Sequence, residues 1–209
     1  AFPLFVTKNT LGEIYYCGWS SKQSFGASSW LIVRPEGNVL IDSPRWSATL
    51  FKQIKSMGNV KYMVLTHRDD VADHVLWSNA LNCERWIHED DADAAPPSEK
   101  YLRGRDCFLL GESFYLIPTP GHTAGSMVAV LGDSEQVLFS GDHLWWNVEK
   151  ESLVASRSYC WWNWDEQIKS IKRLENLDVR WLLPGHGHAH VFGLGEWKIA
   201  LAELISYVS

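Results

Sequence analysis

His67, His122, Asp142 and His186 are the residues whose surroundings point most directly to chemistry. His67 follows the apolar run Tyr62–Thr66. His122 sits in Gly121-His-Thr, Asp142 in Ser140-Gly-Asp, and His186 in Pro184-Gly-His-Gly. Each lies just past a β-rich run, and all but His67 directly follow a glycine. Imidazole and carboxylate are donors that Zn, Fe and Mn accept, and glycine lets the chain turn sharply enough to aim them inward. One such histidine alone is more often a surface or capping residue. The ordered recurrence is what indicates a metal centre.

The stretch His67-Arg-Asp-Asp-Val-Ala-Asp-His74 is dense in donors, and its reading depends on where a helix begins. If the helix starts at Asp70, Ala72, Leu76 and Ala80 define its buried direction, and Asp69 and Asp73 lie within about 80° of it. Asp73 is then the better extra ligand, and His74 points away. If the segment is an irregular loop instead, Asp73 and His74 are a candidate ligand pair. Asp70 reads as an N-cap and Asp73 equally well as a first-turn acid, both favourable at a helix start.

Aromatic residues cluster between the Asp142 and His186 motifs. Trp145-Trp146 and Tyr159-Cys-Trp-Trp-Asn-Trp164 account for several of the 12 Trp of the chain. Their position suits the wall of a substrate pocket formed by Trp145, Trp146, Tyr159, Trp161 and Trp162, with Arg157 available for an anionic group. Trp161 and Trp162 cannot both point inward on one regular element. Trp164 and Trp181 are read at least equally well as core, and His188 and His190 as peripheral.

These residues need a scaffold of short strands and helices. Ala27–Asp42 reads as a hairpin around Pro35-Glu-Gly. Ala48–Met57 has helical spacing and stops at Gly58, Tyr62–Thr66 suits a buried strand, Asp70–Leu81 a helix and Arg85–His88 a strand. Asp90–Arg105, with its Pro-Pro pair and many acids, reads as a loop. In the second half, Phe114–Ile117 is a strand, Met127–Leu131 and Val137–Ser140 a hairpin, Asp165–Leu174 a helix, Trp181–Leu183 a strand and Glu196–Val208 a closing helix. Strand–loop–helix units in both halves imply mixed sheets covered by helices, with Tyr62–Leu65 and Trp181–Leu183 in different sheets.

With 209 residues, 46% hydrophobic and 21% charged, the sequence has the composition of one ordinary globular domain, expected to span 1–209. A net charge of −6 argues against a nucleic-acid surface. No apolar run is long enough to cross a bilayer, and no signal peptide opens the chain. Cys17, Cys83, Cys107 and Cys160 form no C-x-x-C pair, which suggests reduced thiols and a cytoplasmic or plastid-stroma location.

From Asn38-Val-Leu-Ile-Asp42 to Pro184-Gly-His186 the chain resembles the metallo-β-lactamase superfamily. The family's first motif is H-x-H-x-D-H, followed by Gly-His, Gly-Asp and Gly-His. Gly121-His122, Gly141-Asp142 and Gly185-His186 match these, and Asp42 matches an Asp that supports the site without ligating metal. The first motif departs: Asp69 takes the place of the second histidine, and Val71 and Ala72 fall on the usual Asp and His. Arg34–Arg45, Thr66–His74 and Gly141–Trp145 resemble a cyanobacterial and plant branch often fused to a ferredoxin-like iron–sulfur domain. No such cysteine set is present, which implies a truncated or stand-alone member.

The resemblance implies a four-layer αββα sandwich, and one or two divalent ions, Zn first, with Fe or Mn as alternatives. His67, Asp69, His122, Asp142 and His186 are the implied ligands, with Asp142 also orienting water. Loss of ligands at Val71 and Ala72 implies reduced occupancy at the second metal position. Hydrolysis of a small ester, thioester or lactone is the leading expectation. An iron-binding redox domain served by a ferredoxin partner and a metal-free binding domain remain open alternatives.

Overall fold

The computed structural model describes residues 2–209 and divides into two compact units, Ala1–Leu102 and Arg103–Ser209.

The first unit is built on a seven-stranded sheet in sequence order. Its strands are β1 (Leu4–Asn9), β2 (Gly12–Trp19), β3 (Ser28–Val33), β4 (Asn38–Ile41), β5 (Val60–Val64), β6 (Glu84–His88) and β7 (Lys100–Leu102). Pairing is antiparallel from β1 to β4 and parallel from β4 to β7. The parallel part requires crossovers, supplied by α1 (Ala48–Ser56) between β4 and β5 and α2 (His74–Leu81) between β5 and β6. Leu50 and Ile54 of α1 and Trp77 and Leu81 of α2 pack with Leu31, Leu40, Met63 and Ile87 of the sheet. Ser47 caps α1 by accepting from the Leu50 backbone N–H.

The second unit contains a six-stranded sheet in the order β15-β14-β11-β10-β9-β8 and a separate hairpin, β12-β13. The elements are β8 (Phe108–Gly111), β9 (Phe114–Pro118), β10 (Met127–Leu131), β11 (Gln136–Gly141), β12 (Trp145–Asn147), β13 (Ser152–Val154), α3 (Trp164–Lys172), β14 (Val179–Pro184), β15 (His190–Val191) and α4 (Glu196–Val208). Only β11 and β14 pair in parallel. Val128, Val130, Leu138 and Leu182 pack with Ile171 of α3 and with Trp197, Leu201 and Leu204 of α4.

The central strands β4, β10 and β11 are buried along their whole length, so they read as continuous apolar runs rather than alternating ones. As expected, the Tyr62 and Trp181 strands lie in different sheets. No helix among the described residues is long and apolar enough to cross a membrane.

Three expectations need correction. The helix after His67 begins at His74, with Asp73 rather than Asp70 at the N-cap position. Its buried side carries His74, Trp77, Ser78 and Leu81, while Leu76 is 50% exposed, so the assumed helical phase was rotated. The acidic Asp90–Arg105 stretch is also more ordered than a loop: it holds a 3₁₀ turn over Glu89–Ala94 and the edge strand β7.

Candidate metal centre

In the first unit, β4 and β5 run parallel, which brings their carboxyl ends to the same sheet edge. Asp42 follows β4; Thr66 and His67 follow β5. Asp42 is buried and adopts φ +57°, a left-handed conformation uncommon for a side-chain-bearing residue and tolerated best by Asp and Asn. Its Oδ1 accepts from the Thr66 backbone N–H at 2.7 Å, and the Thr66 hydroxyl lies 3.0 Å from each carboxylate oxygen. The same hydroxyl is 3.0 Å from His67 Nδ1.

A carboxylate only accepts, so the Thr66 O–H donates to Asp42 and its oxygen accepts from His67 Nδ1–H. That chain places a proton on Nδ1 and turns Nε2 away from Thr66. Nε2 lies 3.9 Å from Asp69 Oδ2 and 3.8 Å from Asp70 Oδ2. These separations exceed hydrogen-bond length but fall within twice a metal–ligand bond of about 2.1 Å. His67 and Asp70 are buried, and Asp69 is partly exposed.

Backbone contacts hold this loop in shape. The buried Asp91 accepts from the Arg68 N–H at 3.1 Å, and Arg68 forks onto Asp93 at 3.0 and 3.1 Å. The Asp70 carbonyl accepts from Ser43 N–H, and Ala72 N–H donates to Ser24 Oγ at 2.9 Å. These contacts draw Asp70 to Asp73 into a turn, which is why α2 starts late.

Asp73 and His74 are placed elsewhere. Asp73 Oδ2 accepts from the Trp46 N–H at 2.8 Å. His74 Nδ1 accepts from Arg85 Nη1 at 3.0 Å, and Arg85 also pairs with Glu99 at 2.7 Å. Burial, and then the adjacent guanidinium, push the His74 pKa down to about 4. A neutral imidazole next to an arginine is a structural acceptor and a poor neighbour for a metal cation.

The lowered value has a sign that can be tested. Below about pH 6.5 the unfolded chain protonates His74 while the folded chain does not, so stability falls as pH drops toward about 4. Over that window the loss from this group is about 3 kcal/mol. His74→Gln keeps an acceptor for Arg85 and should flatten the acid limb by about 1.4 kcal/mol per pH unit. Urea unfolding between pH 7 and pH 5 measures it; parallel slopes for both proteins would contradict the assignment.

In the second unit, β9 and β11 both run antiparallel to β10 and so point the same way, and β14 is parallel to β11. The carboxyl ends of all three therefore meet at one edge, where His122, Asp142 and His186 follow. His186 Nδ1 is 2.8 and 2.9 Å from the two Asp142 oxygens, and Asp142 Oδ2 is 3.8 Å from His122 Nε2. His122 is buried, while the His186 side chain is 37% exposed.

Helix α3 fastens the His122 loop. Ser170 Oγ donates to Pro120 O at 2.7 Å, Arg173 to Pro118 O at 2.7 Å, and Gln167 Nε2 to His143 O at 2.9 Å. The backbone N–H groups of Trp161 and Trp162 donate to His122 O at 2.9 and 3.1 Å.

The aromatic residues divide. Trp161, Trp162 and Tyr159 are 64%, 49% and 61% exposed, and the Trp161 ring centroid is 6.3 Å from that of His122. Both tandem tryptophans thus face outward. Trp145 lies over Gly187, where an added Cβ would meet its ring at 2.2 Å, beside His186. Trp146 is core: it is buried, stacks on His190 at 3.6 Å and meets Phe192 edge-on, so its reading as pocket wall is corrected. Arg157 is exposed.

Asp70 and His143 escaped the sequence reading. Asp70 looked like a cap because an acid before an apolar stretch usually is one. His143 is fully enclosed, neither ring nitrogen has a hydrogen-bond partner among the described residues, and burial followed by His122 pushes its pKa down to about 3. Its only sequence signal was adjacency to Asp142.

A model of the metallo-β-lactamase superfamily matches residues 24–186. Among solved structures, the chain is similar to the DIM-1 metallo-β-lactamase, with TM-score 0.71 and 19% identity over 100% of this chain and 99% of that one. TTHA1623 in a di-iron-bound form gives TM-score 0.66 and 22% identity over 91% and 94%. The chemotaxis sensor ODP, solved as a peroxy diiron species, gives TM-score 0.71 and 14% identity over 98% and 94%. At these identities the likeness establishes the fold, mixed sheets with helices of the α+β type. A search of curated protein sequences finds no match.

Proposed function

The chain belongs to the metallo-β-lactamase superfamily, and from that premise we propose that it is a metal-dependent hydrolase of a small ester, thioester or lactone. The observation that carries this reading is the Asp42–Thr66–His67 chain, which directs Nε2 towards two carboxylates at 3.8 and 3.9 Å. The separations exceed a hydrogen bond but fall within twice a metal–ligand bond of about 2.1 Å, so the donor set fits a bound metal.

The proposed ligands are His67, Asp69, His122, Asp142 and His186. A bound divalent ion would polarise the substrate carbonyl and bring the pKa of a water towards ~7. Thr66 and Asp42 hold the His67 ring in its ligating tautomer. Asp142 orients the attacking water and accepts its proton, and His186, hydrogen-bonded to Asp142, fixes the carboxylate's direction. Trp161, with Trp145 beside His186, offers apolar surface to the substrate, and the exposed Arg157 offers a cation to an anionic group.

The likeness to two di-iron structures supports a second reading, an iron centre; the electron-donating ferredoxin-like partner rests on the sequence resemblance alone. Assay of chelator-stripped protein against an aryl ester, an acyl thioester and a lactone, with and without added Zn²⁺ or Mn²⁺, separates the two. Hydrolysis of at least one substrate that returns with metal is the expected result. Metal binding without hydrolysis, together with reversible reduction of bound iron, would favour the second reading.

A further inference from the structure

We propose that Asp70 is a metal ligand, and that the Asp69–Asp70 pair narrows the centre's preference for zinc over manganese or iron(II). The inference rests on the metal-binding reading above and concerns ligands that this chain's own motif supplies.

Asp70 is fully buried, and its Oδ2 lies 3.8 Å from His67 Nε2, as close as Asp69 Oδ2 at 3.9 Å. It is not the cap of α2, whose N-cap position belongs to Asp73. Its carbonyl accepts from Ser43 N–H and the Ala72 N–H donates to Ser24 Oγ, so the turn directs the carboxylate towards His67 rather than along a helix. The orientation of His67 is an independent pointer: the Thr66 hydroxyl and Asp42 hold the ring with Nε2 on the side where both carboxylates lie.

The consequence is chemical. Val71 and Ala72 supply no donor, and Asp70 makes good that loss with oxygen. In the first unit two carboxylates, Asp69 and Asp70, then stand beside the one imidazole of His67. Imidazole-rich sites suit zinc, whereas carboxylate-rich sites move selectivity towards harder ions such as Mn²⁺. Because absolute affinity follows the Irving–Williams order at most such sites, the effect is read as a ratio.

The test uses the full chain stripped with chelator, titrated with Mn²⁺ by electron paramagnetic resonance of the free ion, then competed with Zn²⁺. Asp70→Asn should weaken Mn²⁺ binding at least ~10-fold, since changes even outside the ligand shell cost that much. Its melting temperature in chelator should match wild type, with the metal-induced rise lost; a purely structural Asp70 would lower melting with and without metal. Asp70→Glu is read alongside in case the Asn variant does not fold, and the same Mn²⁺ loss with normal melting in chelator is expected. Asp69→His should raise the Zn²⁺:Mn²⁺ affinity ratio roughly 10-fold or more. Unchanged Mn²⁺ affinity in the Asp70 variants, or an unchanged ratio in Asp69→His, overturns this proposal while the metal reading stands. Wild-type protein that binds neither ion at millimolar concentration overturns the metal reading itself.

Discussion

Asp142→Ala should lower kcat/KM by roughly 10²–10⁴-fold on any ester or thioester that the wild-type protein hydrolyses, the range expected when a positioned proton acceptor is lost. Asp142 is the hub of the second unit's donor set: both of its oxygens bond His186 Nδ1, and Oδ2 faces His122 Nε2. Removing it leaves the half-exposed His186 ring without its orienting partner and deletes a proposed ligand in the same step. Metal content should therefore fall together with activity. Asp142→Asn keeps the shape and one acceptor oxygen, so it should retain more metal than the alanine variant while still losing the proton acceptor. Steady-state kinetics and elemental analysis of both variants are the check. An alanine variant within a few-fold of wild type in both would remove Asp142 from the mechanism.

Gly121→Ala should destabilise the second unit by about 3–5 kcal/mol, in the range reserved for core overpacking and backbone strain. Gly121 has φ +151°, and an added Cβ would lie 2.3 Å from Gln167 Cα and Cβ and 2.6 Å from its backbone nitrogen. Backbone cannot yield as a flexible side chain does, so α3 must move, and with it the contacts from Ser170 and Arg173 that hold the His122 loop. Gly195→Ala separates steric clash from conformational strain. Gly195 also has positive φ, but nothing lies within 4 Å of its added Cβ, so its cost should stay near 1 kcal/mol. Denaturant unfolding of both variants decides; equal, small losses would contradict a steric role for α3 at Gly121.

The donors were legible in the sequence because parallel strands end beside glycine: the edge where β9, β11 and β14 terminate is written as Gly-His, Gly-Asp and Gly-His. Asp42 was legible through its place at the end of the β4 run, but its role emerges only in the fold, since the Thr66 hydroxyl that links it to His67 carries no pattern. The Asp70–His74 stretch misled because local propensity and tertiary contacts disagree there. An acid ahead of an apolar run favours a helix start, whereas Ser24, Ser43 and the Trp46 N–H pull the turn into another shape. With the start displaced, the helical phase rotated, Leu76 came out exposed, and His74 came out buried against Arg85. The N-terminal hairpin β1–β2, the edge strands β7, β8 and β15 and the β12–β13 hairpin were not anticipated. They are short, or lie outside the runs whose periodicity identified the others. Trp146 was misread for a related reason: a tandem pair near ligand loops suggests a pocket, yet one member of a β-strand pair must face the other way.

The proposal stands or falls on whether His67 with its carboxylates, and His122 and His186 with Asp142, bind metal. Elemental analysis of the chain purified without chelator, repeated after stripping and reloading, tests it most directly. The account predicts at least about one tightly held divalent ion per chain, lost in His67→Ala and in His122→Ala, with melting raised on reloading. Protein that carries no metal as purified, takes none up on reloading and melts identically with and without Zn²⁺, Mn²⁺ or Fe²⁺ would contradict it.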